Sequence, residues 1–121
     1  MSMHTDAVQR CLAAWNAAPD DVEKAVAMTF TDAATYTDPL ADIRGQDAIT
    51  DTIRGVREQF PGFEFRAVGT PDAHHHIARF SWELVSREDG SAPVAGFDVI
   101  TLAEDGRVSS VSGFLDRVPD A

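Results

Sequence analysis

The hydrophobic period of this chain changes once, after Phe60, and that change limits the folds it can adopt. Before this point apolar residues recur every three or four positions, most clearly at Ile49, Ile53, Val56 and Phe60, which is the period of an amphipathic helix. After it, apolar and polar residues alternate, which is the period of a β-strand. Helices followed by a run of strands predict an α+β fold.

The predicted elements are three N-terminal helices and a curved, mainly antiparallel β-sheet, which together form a cone with its mouth between helices and sheet. A capping box at Asp20 and Glu23 predicts the start of the second helix. The remaining segments are helices over 6–17 and 49–60, a short extended piece over 34–37, a loop over 40–45, and strands over 63–68, 76–85, 94–102 and 108–118.

Composition sets the broad class of the protein. The chain has 121 residues, 44% of them hydrophobic, which suits a single domain over residues 1–121 with one core. Twenty acidic residues against ten basic ones give a net charge of −10, so we expect neither nucleic acid nor a membrane surface as a partner. The chain has no membrane-length apolar run or signal pattern, and its one cysteine, Cys11, cannot form an internal disulfide. A cytoplasmic location is therefore expected.

Two aspartates stand in apolar surroundings. Asp98 lies within a run that reads as a buried strand, over 94–102, where an unpaired carboxylate costs on the order of several kcal/mol. Such groups concentrate at functional sites, although Asp98 could instead bind a backbone amide or pair with Arg79. Asp38 precedes Pro39 at the end of an extended piece, where an aspartate often only caps a turn. The pair predicts a cavity with carboxylate chemistry.

Several segments carry a resemblance to a known superfamily. They are 7–17 (AVQRCLAAWNA), 30–39 (FTDAATYTDP), 45–49 (GQDAI), 79–84 (RFSWEL), 98–102 (DVITL) and 105–108 (DGRV). In these segments and in its order of elements, nearly the whole chain resembles the nuclear transport factor 2-like superfamily, which includes ketosteroid isomerases and SnoaL-like polyketide cyclases. The resemblance implies the cone fold directly, whereas activity has to be argued from the site.

The resemblance also implies roles for the two aspartates. By analogy with ketosteroid isomerases, Asp38 is the base and Asp98 is a protonated acid that donates to the developing oxyanion. The tyrosine that those enzymes carry on the first helix is replaced by Cys11, a poor hydrogen-bond donor. Limonene-type epoxide hydrolases have an arginine where this chain has Gly96, so that activity is not expected. SnoaL-like cyclases need chiefly an acid/base aspartate in an apolar cavity.

The expected function is thus an isomerase or cyclase acting next to a carbonyl, and the alternative is a non-catalytic ligand-binding or dimerisation module of the same fold. The ligand is expected to be a small apolar or carbonyl-containing molecule, and no phosphate loop or dinucleotide fingerprint predicts a cofactor. The side chains expected to contact the ligand besides the two aspartates are Cys11, Trp15, Tyr36, His76, Phe80 and Trp82.

Two further expectations concern metals and oligomerisation. In the run 74–76 only His74 and His76 could share a strand face, and two ligands without a third do not predict a metal site. The resemblance implies a homodimer formed through the outer face of the sheet. The residues expected there are Arg79, Ser81, Glu83, Phe97, Val99 and Phe114.

Overall fold

The computed structural model of the chain describes residues 2–119 and shows three helices packed on a curved six-stranded sheet that does not close. The helices are α1 (Met3–Asn16), α2 (Val22–Thr29) and α3 (Gln46–Gln59), with a short 3-10 turn at Pro19–Asp21. The strands are β1 (Phe30–Asp38), β2 (Ala41–Arg44), β3 (Phe63–His74), β4 (Ile77–Ser86), β5 (Val94–Leu102) and β6 (Val108–Arg117).

The sheet has the strand order β2-β1-β6-β5-β4-β3. All neighbouring strands are antiparallel except β1 and β6, which are parallel. The predicted α+β class, with N-terminal helices on a mainly antiparallel sheet, is therefore confirmed. The parallel pairing places β6 between β1 and β5, the strands that carry the two aspartates.

The core lies between the helices and the sheet, and the helix faces that it buries are those that the 3.6-residue period predicts. Val8 and Cys11 of α1, Val26 of α2 and Ile53 of α3 are all buried. Burial of an aliphatic side chain of this size contributes about 1.5–3 kcal/mol to folding. Asn16, the last residue of α1, exchanges two hydrogen bonds with the backbone of β3. They fix the end of the helix over the sheet.

The first strands differ from the prediction. Residues 40–45 were expected to form a loop, but Ala41–Arg44 form β2, which pairs with β1 at the edge of the sheet. A strand of four residues is too short for its alternation to be distinguished from a loop. β1 begins at Phe30 rather than at residue 34, because the backbone is already extended at Phe30, directly after Thr29 ends α2. The capping box is also wrong, since α2 begins after the 3-10 turn without a side-chain cap.

The third strand is longer than the period predicts. Gly69 and Pro71 suggest a break, yet β3 continues to His74 with an irregularity in its pairing between Val68 and Asp72. β3 lies at the edge of the sheet, which is where a strand tolerates proline. β4 begins one residue later than predicted, at Ile77, because His75 takes a positive φ of 50° in the intervening turn.

Candidate functional site

A cavity of about 420 Å³ lies between α1, the end of α3 and the sheet. Its wall is mostly apolar, and Asp38 and Asp98 are its acidic side chains. No lysine, arginine or histidine among residues 2–119 lines it. The net charge of the wall is therefore zero or negative, depending on how many protons the two carboxyl groups hold.

Seven of the eight side chains predicted for the site line this cavity, namely Cys11, Trp15, Tyr36, Asp38, Phe80, Trp82 and Asp98. The eighth, His76, does not. It lies exposed in the turn between β3 and β4. Its expected orientation assumed that side chains alternate between the two faces of a strand from residue 76 onward, and the positive φ of His75 places that residue in a turn instead. The placement of His76 in the ligand site is therefore wrong.

Asp38 is held by hydrogen bonds from three donors. Its Oδ1 accepts from the backbone N–H groups of Leu40 and Ala41, both at 2.8 Å. Its Oδ2 accepts from the hydroxyl of Tyr36 at 2.7 Å. The two backbone hydrogen bonds are those of a turn cap, so Oδ1 of Asp38 has the capping role that was the alternative to a catalytic one. Oδ2 has no part in the cap: it accepts from Tyr36, and Asp38 also lines the cavity.

Asp98 is 8% exposed, and its side chain has one hydrogen bond within residues 2–119. Its Oδ1 accepts from the indole Nε1 of Trp82 at 3.1 Å. Burial raises the pKa of Asp98 to about 6, the Trp82 hydrogen bond opposes this rise, and the nearby charge of Asp38 adds to it. Arg79, the alternative partner of Asp98, is instead within 3.6 Å of Asp72.

The two carboxyl groups flank Gly113 of β6, which pairs directly with Asp98. A Cβ atom built on Gly113 would lie 3.0 Å from Oδ1 of Asp98 and 3.3 Å from Cβ of Asp38. Any larger residue would crowd both side chains. Glycine at this position therefore lets the two carboxyl groups occupy the same end of the cavity.

Four aromatic rings connect the hydrogen-bond partners of the two aspartates. Successive ring centroids are 5.9 Å apart between Tyr36 and Trp15, 5.1 Å between Trp15 and Phe65, and 5.4 Å between Phe65 and Trp82. These separations lie within the range in which aromatic pairs attract. We call this set the aromatic arc. Its end members donate to Asp38 and Asp98 respectively.

Gly96 makes the position of Trp82 possible. The two residues pair across β4 and β5, and the β5–β6 register shifts at this point. A Cβ atom on Gly96 would overlap the carbonyl oxygen of Phe114 and lie 2.9 Å from Cζ2 of Trp82. Gly96 is thus required by packing, since no side chain fits at that position.

Cys11 and Tyr36 stay protonated in this setting. Burial is the main cause that raises the pKa of the Cys11 thiol, and the charge of Asp98 adds to it. Burial also raises the pKa of the Tyr36 hydroxyl, again with a contribution from Asp98 and from the hydrogen bond to Asp38. Because the thiolate is the nucleophilic form, Cys11 serves as an apolar wall residue.

Sequence reasoning missed much of the cavity wall. The period-2 pattern placed Phe65 on a strand without showing which face points inward, and it gave no sign that the ends of α3 and β6 meet at the rim. Leu40 is 85% exposed, although it lines the cavity. The residues that were missed are Leu12, Leu40, Val56, Gln59, Phe60, Phe65, Leu84, Val94, Leu115, Val118 and Pro119.

Within residues 2–119, no three His, Cys, Asp or Glu side chains are grouped so that they could hold a metal ion. None of the helices in that range is both long and apolar enough to cross a membrane.

Known proteins share sequence features and the fold of this chain. The sequence model of the SnoaL-like domain matches residues 8–111. A protein of the SnoaL-like family from Agrobacterium tumefaciens, described with isomerase as a provisional function, is 39% identical, with a TM-score of 0.89 over 96% of this chain and 99% of that one. No curated protein sequence matches the chain.

More distant solved structures share the fold alone. A protein from Jannaschia, described provisionally as a SnoaL-like polyketide cyclase, is 18% identical with a TM-score of 0.75 over 96% of this chain and 89% of that one. A SnoaL-like protein of unknown function from Burkholderia thailandensis is 14% identical, with a TM-score of 0.73 over 93% and 94% of the two chains.

Proposed function

The chain belongs to the SnoaL-like domain family, and we propose that it is an isomerase or cyclase whose two aspartates move protons next to a carbonyl group of a small apolar substrate. The observation that carries this proposal is the placement of Asp38 and Asp98 on either side of Gly113 at one end of an apolar cavity. Two carboxyl groups in unlike surroundings are suited to opposite roles, one as base and one as acid.

Asp38 is suited to the role of base. A carboxylate has about four acceptor sites, and the three hydrogen bonds to Asp38 leave one of them, on Oδ2. A carbon-bound proton of the substrate would approach that site. The two backbone donors on Oδ1 fix the orientation of the carboxylate before the substrate binds, which is a recurring source of catalytic rate.

Asp98 is suited to the role of acid. Its Oδ1 accepts the Trp82 hydrogen bond, so a proton on this group resides on Oδ2 and is available to the substrate carbonyl. Burial raises the pKa of Asp98 to about 6, and a growing negative charge on the substrate oxygen would favour the protonated form further. Cys11 supplies no strong second donor at this point.

Solvent hydrogen exchange tests this division without knowledge of the natural substrate. We would incubate the protein with 2-tetralone, a neutral bicyclic ketone, in D₂O and follow loss of the α-proton signals by NMR. Catalysed exchange is expected, and Asp38→Asn should slow it by about 10²-fold or more, the usual contribution of a general base. Because Asp98 acts in its protonated form, the rate should fall as the pH rises through about 6.

Asp51→Asn is the matched control, because Asp51 lies exposed on α3, outside the cavity wall, and undergoes the same loss of charge. Exchange that persists in Asp38→Asn at the rate of the unaltered protein would refute the assignment of the base. Absence of exchange with a series of ketones that do bind would favour the non-catalytic alternative.

We also propose that the protein is a homodimer formed through the outer face of the sheet. The side chains of Phe97 and Phe114 stack on each other, with centroids 4.9 Å apart and ring planes 14° apart. Phe114 is 51% exposed, which leaves an aromatic surface on the strands. Aromatic side chains are enriched at protein–protein interfaces.

A further inference from the structure

The polar end of the cavity offers acceptors rather than donors. The hydroxyl of Tyr36 donates to Asp38, and the indole N–H of Trp82 donates to Asp98. The strong donors beside the carboxyl groups are therefore already used, while each carboxyl group retains unused acceptor capacity on Oδ2. Gln59 also lines the cavity, but it lies exposed near the end of α3. A ligand that supplies its own donors fits this end best.

The electrostatic character of the cavity agrees with its hydrogen bonding. Both charged groups in the wall are carboxyl groups, and no basic side chain within residues 2–119 lines the cavity to balance them. Asp98 is more than nine-tenths buried, so its charge is poorly solvated and gains from a nearby cation. The aromatic arc runs between the two carboxyl groups, and aromatic rings beside a carboxylate are suited to organic cations.

We propose that this cavity binds hydrophobic ammonium ions, with the nitrogen between Asp38 and Asp98 and the hydrocarbon body against the aromatic arc. This ligand class goes beyond the proposed reaction on carbonyl compounds and requires no turnover. A protonated amine brings both the donors and the positive charge that the cavity lacks. A carboxylate of the same shape would add a third negative group to the site and be excluded.

The protonation of Asp98 sets the pH dependence of this selectivity. The titratable groups that face Asp98 are Asp38 and Tyr36 from β1 and Cys11 from α1, whereas β4 and β6 present Trp82 and Gly113. Tyr36 and Cys11 remain neutral, as described above. Ammonium binding should therefore strengthen as Asp98 loses its proton, and ketone binding should strengthen as Asp98 gains it.

Tryptophan fluorescence provides the readout, because both tryptophans of the chain, Trp15 and Trp82, line this cavity. Three probes share an adamantane body and differ in charge: 1-(1-adamantyl)ethylamine, 1-adamantyl methyl ketone and adamantane-1-carboxylate. At about pH 8 we expect the amine to bind about tenfold more tightly than the ketone, and the carboxylate to bind most weakly. At about pH 5 the preference for the amine over the ketone should shrink.

Asp98→Asn should weaken amine binding about tenfold and remove most of the pH dependence of the amine-to-ketone affinity ratio. Asp51→Asn again controls for the change in net charge, and circular dichroism verifies that both variants are folded. A ketone that binds at least as tightly as the amine at about pH 8 would overturn the proposal. So would an amine-to-ketone affinity ratio that Asp98→Asn leaves unchanged.

The two proposals fail separately. If the ketone binds more tightly and its α-protons exchange, the carbonyl reaction stands and ammonium recognition falls. If the amine binds more tightly and no ketone exchanges protons, ammonium recognition stands and the proposed catalysis falls.

Discussion

Asp98 shows how far a single residue can be understood from sequence. Its position in an apolar strand predicts a buried carboxyl group beside a cavity, and the structure places it there. Its hydrogen-bond partner was not predictable, because Trp82 lies sixteen positions away on another strand and its orientation depends on the register with Gly96. The prediction that His76 contacts the ligand was wrong for a related reason, since an alternating sequence pattern does not reveal the backbone conformation of His75.

The raised pKa of Asp98 predicts a pH-dependent cost in stability. Its pKa rises from 3.8 to about 6 on folding, so the folded state binds the proton more tightly than the unfolded chain does. The cost is fully present above about pH 6 and disappears as the pH falls toward 3.8. A shift of this size corresponds to about 3 kcal/mol at most.

Asp98→Asn removes the ionisable group and can keep an oxygen that accepts from Trp82. We therefore expect the variant to be more stable than the unaltered protein by about 1–3 kcal/mol near pH 7.5 and by less than about 1 kcal/mol near pH 4. Urea denaturation at the two pH values measures both differences. An equal difference at both values would mean that Asp98 has the same proton affinity in the folded and unfolded states.

At the scale of elements, the strongly periodic segments were predicted and the irregular ones were not. The helices follow their apolar spacing, and the four long strands follow their alternation. The edge strand β2 and the extension of β3 were missed because pairing with a neighbour, rather than local preference, makes them strands. The register shift between β5 and β6 belongs to the same class, and it gives Gly96 its close contacts.

That register shift makes Gly96 sensitive to substitution. Gly96→Ala would place Cβ against the carbonyl group of Phe114 and the ring of Trp82, so we expect a loss of about 1–3 kcal/mol in the free energy of unfolding. Gly55→Ala is the matched control, because Gly55 lies within α3 and a Cβ there meets nothing within 4 Å. The control should gain about 0.5–1 kcal/mol.

Thermal and urea unfolding of both alanine variants would measure these changes. If Gly96→Ala were as stable as the unaltered protein, β5 would have to relax away from β6 without cost. The requirement for glycine beneath the indole of Trp82 would then be wrong.

At the scale of the whole molecule, we propose that the outer face of the sheet forms the dimer interface. We expect Phe114→Glu to raise the dimer dissociation constant by about 100-fold or more, because it places a charge at the exposed half of the Phe97–Phe114 stack. Analytical ultracentrifugation measures the change. Met28→Glu on α2 is the control, since Met28 is also largely exposed, at 60%, but lies on a helix. A monomeric unaltered protein, or equal effects of the two variants, would contradict the proposed interface.

The position of β6 between β1 and β5 determines when the site can come into being during synthesis. Asp38 and Asp98 are both translated before β6, yet they meet only across Gly113, after that strand has inserted between theirs. Until then neither the cavity end nor the proximity of the two carboxyl groups exists, and the nascent chain does not bear the energetic cost of bringing them together. Because the pairing of β1 with β6 joins distant parts of the sequence, it is expected to be a slow step. The end of the cavity that holds both carboxyl groups is thus assembled last, after the strands that flank β6 have been translated.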